Sequence, residues 1–335
     1  MKFGAVPVSE AEGGLLAHAL KLPDRRYKKG HLLSGADIEA IASFGVETLI
    51  IARLDEGDVE ENEAARQLAA ALESEHVTAA RAFTGRVNFH AQSPGVFLAD
   101  RQAIDAINAV DPAITVATLA DDSFVEAGRM VATVKIIPLA VNEKTLARAV
   151  ALADADTAMT LHPSRSRSIG LVQTTLPDTI KPSVLDKTRR VLEARLKPSG
   201  NDVLVGEHRV AHENEALANV LRVMVAECDL IIVFGASAII DADDVIPSAI
   251  RAAGGDVATL GMPVDPGNLL LTGQIGATQI IGAPGCARSP AENGFDWVLQ
   301  RLLSDLPVGI DYVSRLGVGG LLMEIHERPQ PREPQ

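Results

Sequence analysis

The regular alternation of short apolar strands and helices after residue 168 restricts the fold of this sequence more than any other feature. The run DLIIVF, residues 229–234, is apolar at every position after its aspartate, which is typical of a strand in a parallel sheet covered by helices on both faces. The same reasoning predicts strands at 168–174, 202–210 and 257–261, and helices at 183–197, 214–227 and 245–253. This half of the chain is therefore predicted to be a three-layer α/β/α domain with a mostly parallel sheet.

Two further elements complete this predicted domain. The segment LLLTGQIGATQIIGAPG suggests a hairpin with its turn near Gly276, and a closing helix is expected over residues 290–303.

The amino-terminal half alternates less regularly and predicts a separate α/β region. Its expected elements are a helix from Gly35 to near Gly45, a strand at 46–51, a helix at 62–75, strands at 114–119 and 130–141, and a helix at 143–153. The polar stretch around His162 and Pro163 has no clear apolar period and marks a boundary. The sequence predicts an amino-terminal domain at 1–160, a second domain at 161–325 and a flexible, proline-rich tail at 326–335.

Charge and cysteine content exclude several classes of protein. The 335 residues include 31 Lys and Arg against 44 Asp and Glu, and a net charge of −13 is poorly suited to binding the backbone of a nucleic acid. Cys228 and Cys286 are too few for a disulfide scaffold. The longest apolar stretch, 230–240, is too short to cross a bilayer. We expect a cytoplasmic protein that binds neither nucleic acid nor membranes.

Candidate ligand-binding residues follow the strands of the predicted sheet. Ligands of such sheets bind at the carboxyl ends of the strands, where three short segments fall: Thr174-Thr175, Phe234-Gly235-Ala236-Ser237 and the loop of residues 284–290. Gly235 allows a tight turn whose backbone N–H groups, with the Ser237 hydroxyl, would form a nest for a phosphate or another oxyanion.

Three acids after this turn allow two interpretations. Asp241, Asp243 and Asp244 would hold a Mg²⁺ ion that bridges them to a phosphate, since carboxylate and phosphate oxygens are its usual ligands. The alternative is that these acids cap the next helix and form its solvated first turn.

Two Pro-Gly dipeptides mark tight turns in the following segment: Pro266-Gly267 and Pro284-Gly285. The second dipeptide follows a strand and precedes a helix, so that Arg288 and Ser289 are candidates to donate to an anion. An ordinary connection between a strand and a helix is the alternative.

Other reactive side chains lack the neighbours that a site requires. Cys286 has no nearby histidine in the sequence and is expected to be a free, buried thiol. His208 and His212 are four residues apart, but the strand-like residues before them argue against a zinc site on a helix. The polar cluster at 82–90 fits either a ligand contact or a surface loop.

These motifs, in this order and spacing over residues 168–305, resemble the molybdopterin-binding fold shared by molybdopterin adenylyltransferases and molybdenum insertases. That family has a buried strand ending in Gly-Gly-Thr-Gly or Gly-Gly-Thr-Ser, then an Asp that opens a helix, a Pro-Gly turn and a Pro-Gly-Asn-Pro loop. The corresponding stretches here begin at Phe234, Asp244, Pro266 and Pro284. Phe234, Ala236 and Cys286 replace a Gly, the Thr and the Asn of the family pattern. The segment from Lys28 to Ile51 weakly resembles the insertases.

The resemblance implies a protein that binds molybdopterin or the molybdenum cofactor during cofactor biosynthesis. It assigns ligand contacts to Thr174, Thr175, Gly235, Ala236, Ser237, Pro266, Gly267, Pro284, Gly285, Arg288 and Ser289. It further implies nucleotidyl transfer or metal insertion, with Asp243 and Asp244 as catalytic residues and Mg²⁺ on Asp241 and Asp244 beside a nucleotide triphosphate. A homo-oligomer, and a nucleotidyltransferase or molybdoenzyme as partner, are expected.

Three alternatives stay open at the level of sequence. A non-catalytic carrier would bind the pterin without turnover. A nucleotide diphosphate hydrolase of the competence and damage-inducible family would use the same fold to cleave a dinucleotide. A structural or oligomerising protein with a vestigial site would bind neither ligand.

Overall fold

The computed structural model describes residues 1–153, 158–177, 181–201 and 204–322. Contacts within the chain divide it into two compact units. Unit 1 comprises residues 1–93 and 97–161, and unit 2 comprises residues 94–96 and the chain from His162 onward. The predicted tail at 326–335 lies outside the described residues.

Unit 1 is built mainly from short strands. The strands up to residue 163 are β1 (Lys2–Pro7), β2 (Leu15–Leu16), β3 (Leu20–Lys21), β4 (Arg26–Tyr27), β5 (Thr48–Arg53), β6 (Asp58–Glu60), β7 (Val77–Ala79), β8 (Arg86–Ala91), β9 (Gly95–Ala99), β10 (Ile114–Thr118), β11 (Ser123–Val125), β12 (Met130–Ile136), β13 (Ala140–Asn142) and β14 (Met159–Pro163). The α-helices are α1 (Gly35–Ser43), α2 (Glu61–Leu72), α3 (Arg101–Asn108) and α4 (Glu143–Leu152).

The strands of unit 1 form several small sheets rather than one large sheet. They include a three-stranded sheet in the order β1-β5-β2 and a four-stranded sheet in the order β10-β12-β8-β7, and the strand pairs in both are antiparallel. Helix α1 begins at a capping box in which Ser34 and Asp37 bond each other's backbone N–H groups. The single strand predicted at 130–141 is wrong, since β12 ends at Ile136 and β13 starts at Ala140. Pro138 lies between them and has no N–H group for a strand ladder.

Unit 2 contains the large sheet. Its strands are β15 (Ile169–Thr175), β16 (Gly206–Ala211), β17 (Leu230–Phe234), β18 (Asp256–Leu260), β19 (Leu271–Ile275) and β20 (Thr278–Ala283), in the order β16-β15-β17-β20-β19-β18. Its α-helices are α5 (Pro182–Leu196), α6 (Asn214–Met224), α7 (Val245–Ala252), α8 (Gly294–Leu303) and α9 (Ile310–Val313). Strand β19 is antiparallel to both neighbours, and the pairs among β16, β15, β17 and β20 are parallel. The predicted mostly parallel α/β fold is confirmed.

Helices pack on both faces of this sheet, because its central strands are apolar on both sides. In β17, Leu230, Ile232 and Phe234 belong to the core that α5 and α8 cover. The intervening Ile231 and Val233 belong to the core that α6 and α7 cover. Alternation of side chains along a strand therefore divides one apolar run between two cores, which makes the three layers.

Element boundaries in unit 2 follow local turn chemistry. Gly276, with a φ of 58°, forms the turn between β19 and β20 where the hairpin was predicted. Helix α8 starts at Gly294 rather than at residue 290, because Asn293 and Asp296 form a capping box there. Residues 285–288 form a short 3-10 helix. Within the described residues, no helix is both long and apolar enough to cross a membrane.

Candidate functional site

The three predicted strand-end segments meet at one edge of the sheet in unit 2. Gln173 of β15 pairs with Phe234 of β17, and Phe234 pairs with Ala283 of β20. The next residue of each strand is therefore in the same row, and these residues are Thr174, Gly235 and Pro284. We call this row and the loops that follow it the carboxyl edge. It is the position where ligands bind in open α/β sheets.

One peptide group at this edge is held from both ends. The Gly235 carbonyl accepts a hydrogen bond from Nη2 of Arg288 at 3.1 Å, and the Ala236 N–H donates to Oγ1 of Thr174 at 2.8 Å. The turn is tight, since a Cβ on Gly235 would lie 2.4 Å from the Ser237 carbonyl oxygen. The Ala236 N–H predicted for the phosphate nest thus bonds Thr174 in this structure.

Ser237 and Thr175 differ in their surroundings. Ser237 is exposed, and its hydroxyl bonds none of the residues that the structure describes. The Thr175 hydroxyl donates to the Val210 carbonyl at 3.2 Å, across the β15–β16 pair. Of these two side chains, Ser237 is the one free to contact a ligand.

Arg288 lies partly buried at the carboxyl edge with only neutral acceptors. Besides Gly235, its guanidinium donates to Oγ1 of Thr188 at 2.7 Å and to Oε1 of Gln173 at 3.3 Å. It also lies over the Phe234 ring, with Cζ 5.0 Å from the centroid. No carboxylate of the described residues is within 4.0 Å of it. Burial lowers the pKa of Arg288, but a guanidinium stays charged in proteins.

The partners of Arg288 are themselves fixed. Gln173 is fully buried, and its amide nitrogen donates to the Leu185 carbonyl at 3.0 Å and to Glu207 at 3.1 Å. These bonds turn its carbonyl oxygen toward Arg288. The Thr188 hydroxyl donates to the Val184 carbonyl at 2.9 Å, which leaves its oxygen to accept from Arg288. The guanidinium is therefore held in one orientation.

The loop that contains Arg288 is anchored by a second arginine. Arg195 of α5 donates to the carbonyls of Ala287, Ser289 and Ala291 at 2.7, 2.6 and 3.0 Å. Its Nε lies 2.6 Å from Oδ1 of Asp296 in α8. Ser289, predicted as an anion donor, thus uses its carbonyl to hold the loop.

Cys286 lies in the same loop and is half-buried. Burial raises the pKa of its thiol, which disfavours the nucleophilic thiolate.

The Pro266-Gly267 turn lies against the start of α8. Gly294 donates its N–H to the Pro266 carbonyl at 3.0 Å. Gly267 has a φ of 135°, and a Cβ there would lie 2.7 Å from the Gly294 nitrogen. Only glycine fits this position without a shift. Both of these predicted ligand residues contribute to packing in this structure.

The three acids after β17 serve the backbone. Asp244 caps α7 by accepting from the Val245 N–H at 2.7 Å, and its other oxygen accepts from Ile240 at 3.2 Å. Asp241 accepts from the Asp243 N–H at 2.8 Å, and Arg251 pairs with Asp243 at 3.1 Å. This is the capping alternative of the two interpretations.

The residues present do not fit a Mg²⁺ site made by the protein alone. Both carboxylate oxygens of Asp244 already accept backbone hydrogen bonds. In the part of the chain that the structure describes, no group of three or more His, Cys, Asp and Glu side chains is placed to hold a metal ion. We therefore assign no step to a metal at this edge.

Sequence reasoning missed four side chains that organise the edge: Gln173, Thr188, Arg195 and His212. His212 was considered only as a metal ligand, but its Nδ1 lies 2.8 Å from Oγ1 of Thr174. A buried glutamine in an apolar strand was the one available signal, because a buried amide must be hydrogen-bonded. The partners of the other three lie too far along the chain to be found by spacing.

A groove of about 380 Å³ lies at the opposite edge of the same sheet. Arg167, just before β15, and Gln279, near the start of β20, line it together with Thr272 and Asp305. None of the predicted ligand residues lines this groove. Arg167 is paired there with Asp305, which also pairs with Arg165.

Sequence comparison finds a family for part of each unit. Residues 174–305 match a family described as a probable molybdopterin binding domain. Residues 5–53 match a domain of unknown function. No curated protein matches the chain.

Comparison with solved structures finds two molybdenum cofactor biosynthesis proteins at low identity and low TM-score. A molybdopterin biosynthesis MoeA protein from Pyrococcus horikosii is 14% identical, with 91% of this chain and 75% of that chain covered and a TM-score of 0.32. A molybdenum cofactor biosynthesis protein from Pyrococcus furiosus is 11% identical, with 93% and 67% covered and a TM-score of 0.26.

The family match spans the carboxyl edge. It begins at Thr174 and includes the turn at Gly235, both Pro-Gly turns and Arg288. The resemblance predicted from the strand-end motifs is therefore confirmed: residues 174–305, within unit 2, match the probable molybdopterin binding domain.

Proposed function

We propose that unit 2 binds molybdopterin or the molybdenum cofactor at its carboxyl edge and that the protein acts in molybdenum cofactor biosynthesis. The family match over residues 174–305 supports the kind of ligand. The position of the edge in the sheet supports the place of binding.

The proposal depends above all on one observation: the partly buried Arg288 has only neutral acceptors among the described residues. Among the described residues Arg288 has no acidic neighbour, and a partly buried cation in that position costs folding free energy, because water no longer solvates it and no opposite charge compensates it. A bound phosphate would supply that opposite charge, and a guanidinium binds phosphate oxygens in a bidentate manner. Gln173 and Thr188 hold the guanidinium in place before the ligand arrives.

The other edge residues have supporting roles in this proposal. Gly235 brings the turn close to the strand ends, and the exposed Ser237 hydroxyl donates to the ligand. Thr174 holds the turn through the Ala236 N–H. Pro266, Gly267, Pro284 and Gly285 shape the loops around them.

Activity beyond binding stays a prediction. Nucleotidyl transfer, metal insertion and a carrier role are all compatible with a bound pterin phosphate. The catalytic roles predicted for Asp243 and Asp244, the nucleotide triphosphate and Mg²⁺ have no support from the geometry of the three acids. A cytoplasmic location, homo-oligomers and a molybdoenzyme or nucleotidyltransferase as partner are likewise predictions.

Calorimetric titration of the purified protein with molybdopterin tests the proposed function. Saturable binding is expected without added metal, because Arg288 and neutral donors suffice for the phosphate. A second titration with a nucleotide triphosphate and Mg²⁺, followed by a search for a pterin-nucleotide product, separates an enzyme from a carrier. Absence of binding in both titrations would contradict the proposal and favour the nucleotide hydrolase or a vestigial site.

A further inference from the structure

His212 is attached to the carboxyl edge by a buried hydroxyl. Oγ1 of Thr174, which is fully buried, accepts from the Ala236 N–H at 2.8 Å and lies 2.8 Å from Nδ1 of His212. The backbone N–H of His212 donates to the Thr175 carbonyl at 2.8 Å. Two bonds to neighbouring residues of β15 therefore fix this histidine where β16 ends.

The surroundings of Thr174 determine which ring nitrogen of His212 carries the proton. A threonine hydroxyl has one proton to donate, and a buried hydroxyl proton needs an acceptor. Within the described residues, Nδ1 of His212 is the acceptor within reach of Oγ1. A hydrogen bond donated by Oγ1 to Nδ1 selects the tautomer that carries its proton on Nε2. The partly exposed Nε2–H bonds none of the described residues.

His212 and Arg288 are connected to opposite ends of one peptide group. The C=O and N–H of a trans peptide point in opposite directions. Arg288 bonds the carbonyl of the Gly235–Ala236 peptide, and Thr174, which holds His212, bonds its N–H. The two side chains are thus on different sides of the Gly235–Ala236 turn.

We propose that His212 is a ligand-binding residue that donates from Nε2 to an acceptor oxygen of the pterin, apart from the phosphate that Arg288 binds. This inference rests on the proposed function and adds a second contact that selects the pterin part of the ligand. The ligand class is a phosphorylated heterocycle with a carbonyl or hydroxyl acceptor several ångströms from its phosphate. In this proposal, inorganic phosphate binds at Arg288 and makes no contact with His212.

Three probes separate the two contacts: molybdopterin, its dephosphorylated form and inorganic phosphate. His212→Ala is expected to weaken binding of the first two by about three- to tenfold, the loss of one neutral hydrogen bond, and to leave inorganic phosphate unchanged. Arg288→Met should weaken molybdopterin and inorganic phosphate but not the dephosphorylated pterin. In the double variant, the two losses of molybdopterin binding free energy should be additive, since the two residues bind separate groups.

Two variants control for folding and for the loss of any histidine. His212→Gln, with an amide N–H near the position of Nε2, should recover most of the pterin affinity. His208→Ala removes an exposed imidazole from β16, the strand that precedes His212, and should bind like the wild type. In ¹⁵N spectra, the Nε2 signal of His212 should shift with the pterin and not with inorganic phosphate, a change that a structural role would not produce.

The outcomes distinguish this inference from the proposed function. Wild-type affinity of His212→Ala for molybdopterin would overturn the role of His212 and leave the proposed function intact. An equal loss of affinity for all three probes would also overturn it, because His212 would then maintain the structure of the carboxyl edge rather than contact the pterin. Failure of the wild-type protein to bind molybdopterin would instead contradict the proposed function.

Discussion

Arg195 anchors the loop of residues 284–291 and Arg288 lies within that loop, but only Arg195 has a carboxylate partner among the described residues. Arg195 pairs with Asp296 and donates to three loop carbonyls, so its charge is compensated within the fold. The acceptors of Arg288 are a hydroxyl, an amide and a carbonyl. We infer that Arg195 stabilises the fold, whereas the positive charge of Arg288 is available to bind a ligand.

The largest expected effect is a loss of stability in Arg195→Ala. Loss of the guanidinium would leave Asp296 buried without a cation and would remove the hydrogen bonds to the Ala287, Ser289 and Ala291 carbonyls, of which Ala291 keeps Asn293 as a donor. The free energy of unfolding should fall by about 3–5 kcal/mol, the cost of breaking a buried ion pair. Denaturant unfolding measures this change.

Arg189→Ala is the control, because Arg189 is an exposed arginine on the same helix and pairs with Glu193 and Glu207. Its loss should cost about 1 kcal/mol or less. Equal losses in the two variants would contradict the structural role of Arg195.

Arg288→Met should show the opposite behaviour. The methionine keeps an apolar stem against Phe234 and removes the uncompensated charge, which offsets the loss of the hydrogen bonds to Gly235, Gln173 and Thr188. The unfolding free energy should therefore change by about 1 kcal/mol or less. Affinity for molybdopterin should fall about 10- to 100-fold, as for a hydrogen bond to a charged group.

Calorimetry and denaturant unfolding of the same preparation check both values. Arg251→Met, which removes an exposed arginine paired with Asp243, is the control and should retain affinity. A stability loss of several kcal/mol in Arg288→Met with unchanged affinity would make Arg288 a second structural arginine.

A smaller effect is expected in the acidic segment. Asp244→Ala should lower the unfolding free energy by about 0.5–2 kcal/mol, because it removes the cap of α7. Asp244→Asn keeps a capping oxygen and should be close to the wild type. Thermal unfolding with a pterin titration of each variant checks this. A large loss of affinity in Asp244→Asn, with stability retained, would show that the charge serves the ligand.

The smallest effect is a pH dependence that arises from Asp296. Burial raises the pKa of its carboxyl, although Arg195 lies 2.6 Å away and lowers it. The folded state then holds the proton more tightly than the unfolded chain does. The contribution of this group to stability is complete below the ordinary aspartate pKa and is lost as pH rises through the folded value.

Asp296→Asn, which cannot ionise, isolates this contribution. The wild type should lose stability relative to Asp296→Asn as pH rises from about 4. Unfolding free energies measured across that range test the sign. A gain in the stability of the wild type relative to Asp296→Asn over the same range would mean that pairing with Arg195 affects the pKa of Asp296 more than burial does.

The sequence predicts the layers of unit 2 well and the contacts at its edge poorly. The apolar strand at 230–234 and the turn at Gly276 are local patterns, and both are confirmed. The strand-end segments meet because the carboxyl ends of parallel strands share an edge, which is a topological rule. Arg288 and Gln173 are 115 residues apart, and no spacing rule connects them.

The Ala236 N–H shows a second reason why contacts at the carboxyl edge are hard to predict from the sequence. A tight glycine turn indicates free backbone donors, and these donors were expected to bind a phosphate. In the fold, Thr174 is fully buried, and its hydroxyl accepts from that N–H. Competition between a ligand and a neighbouring side chain for one donor depends on tertiary packing, which the sequence pattern does not contain.

A crystal structure of the protein with molybdopterin tests the central claim most directly. The account predicts the phosphate within hydrogen-bonding distance of the Arg288 guanidinium at the carboxyl edge, with the pterin on the His212 side of the Gly235–Ala236 peptide. A ligand in the groove beside Arg167, at the opposite edge of the sheet, would contradict it.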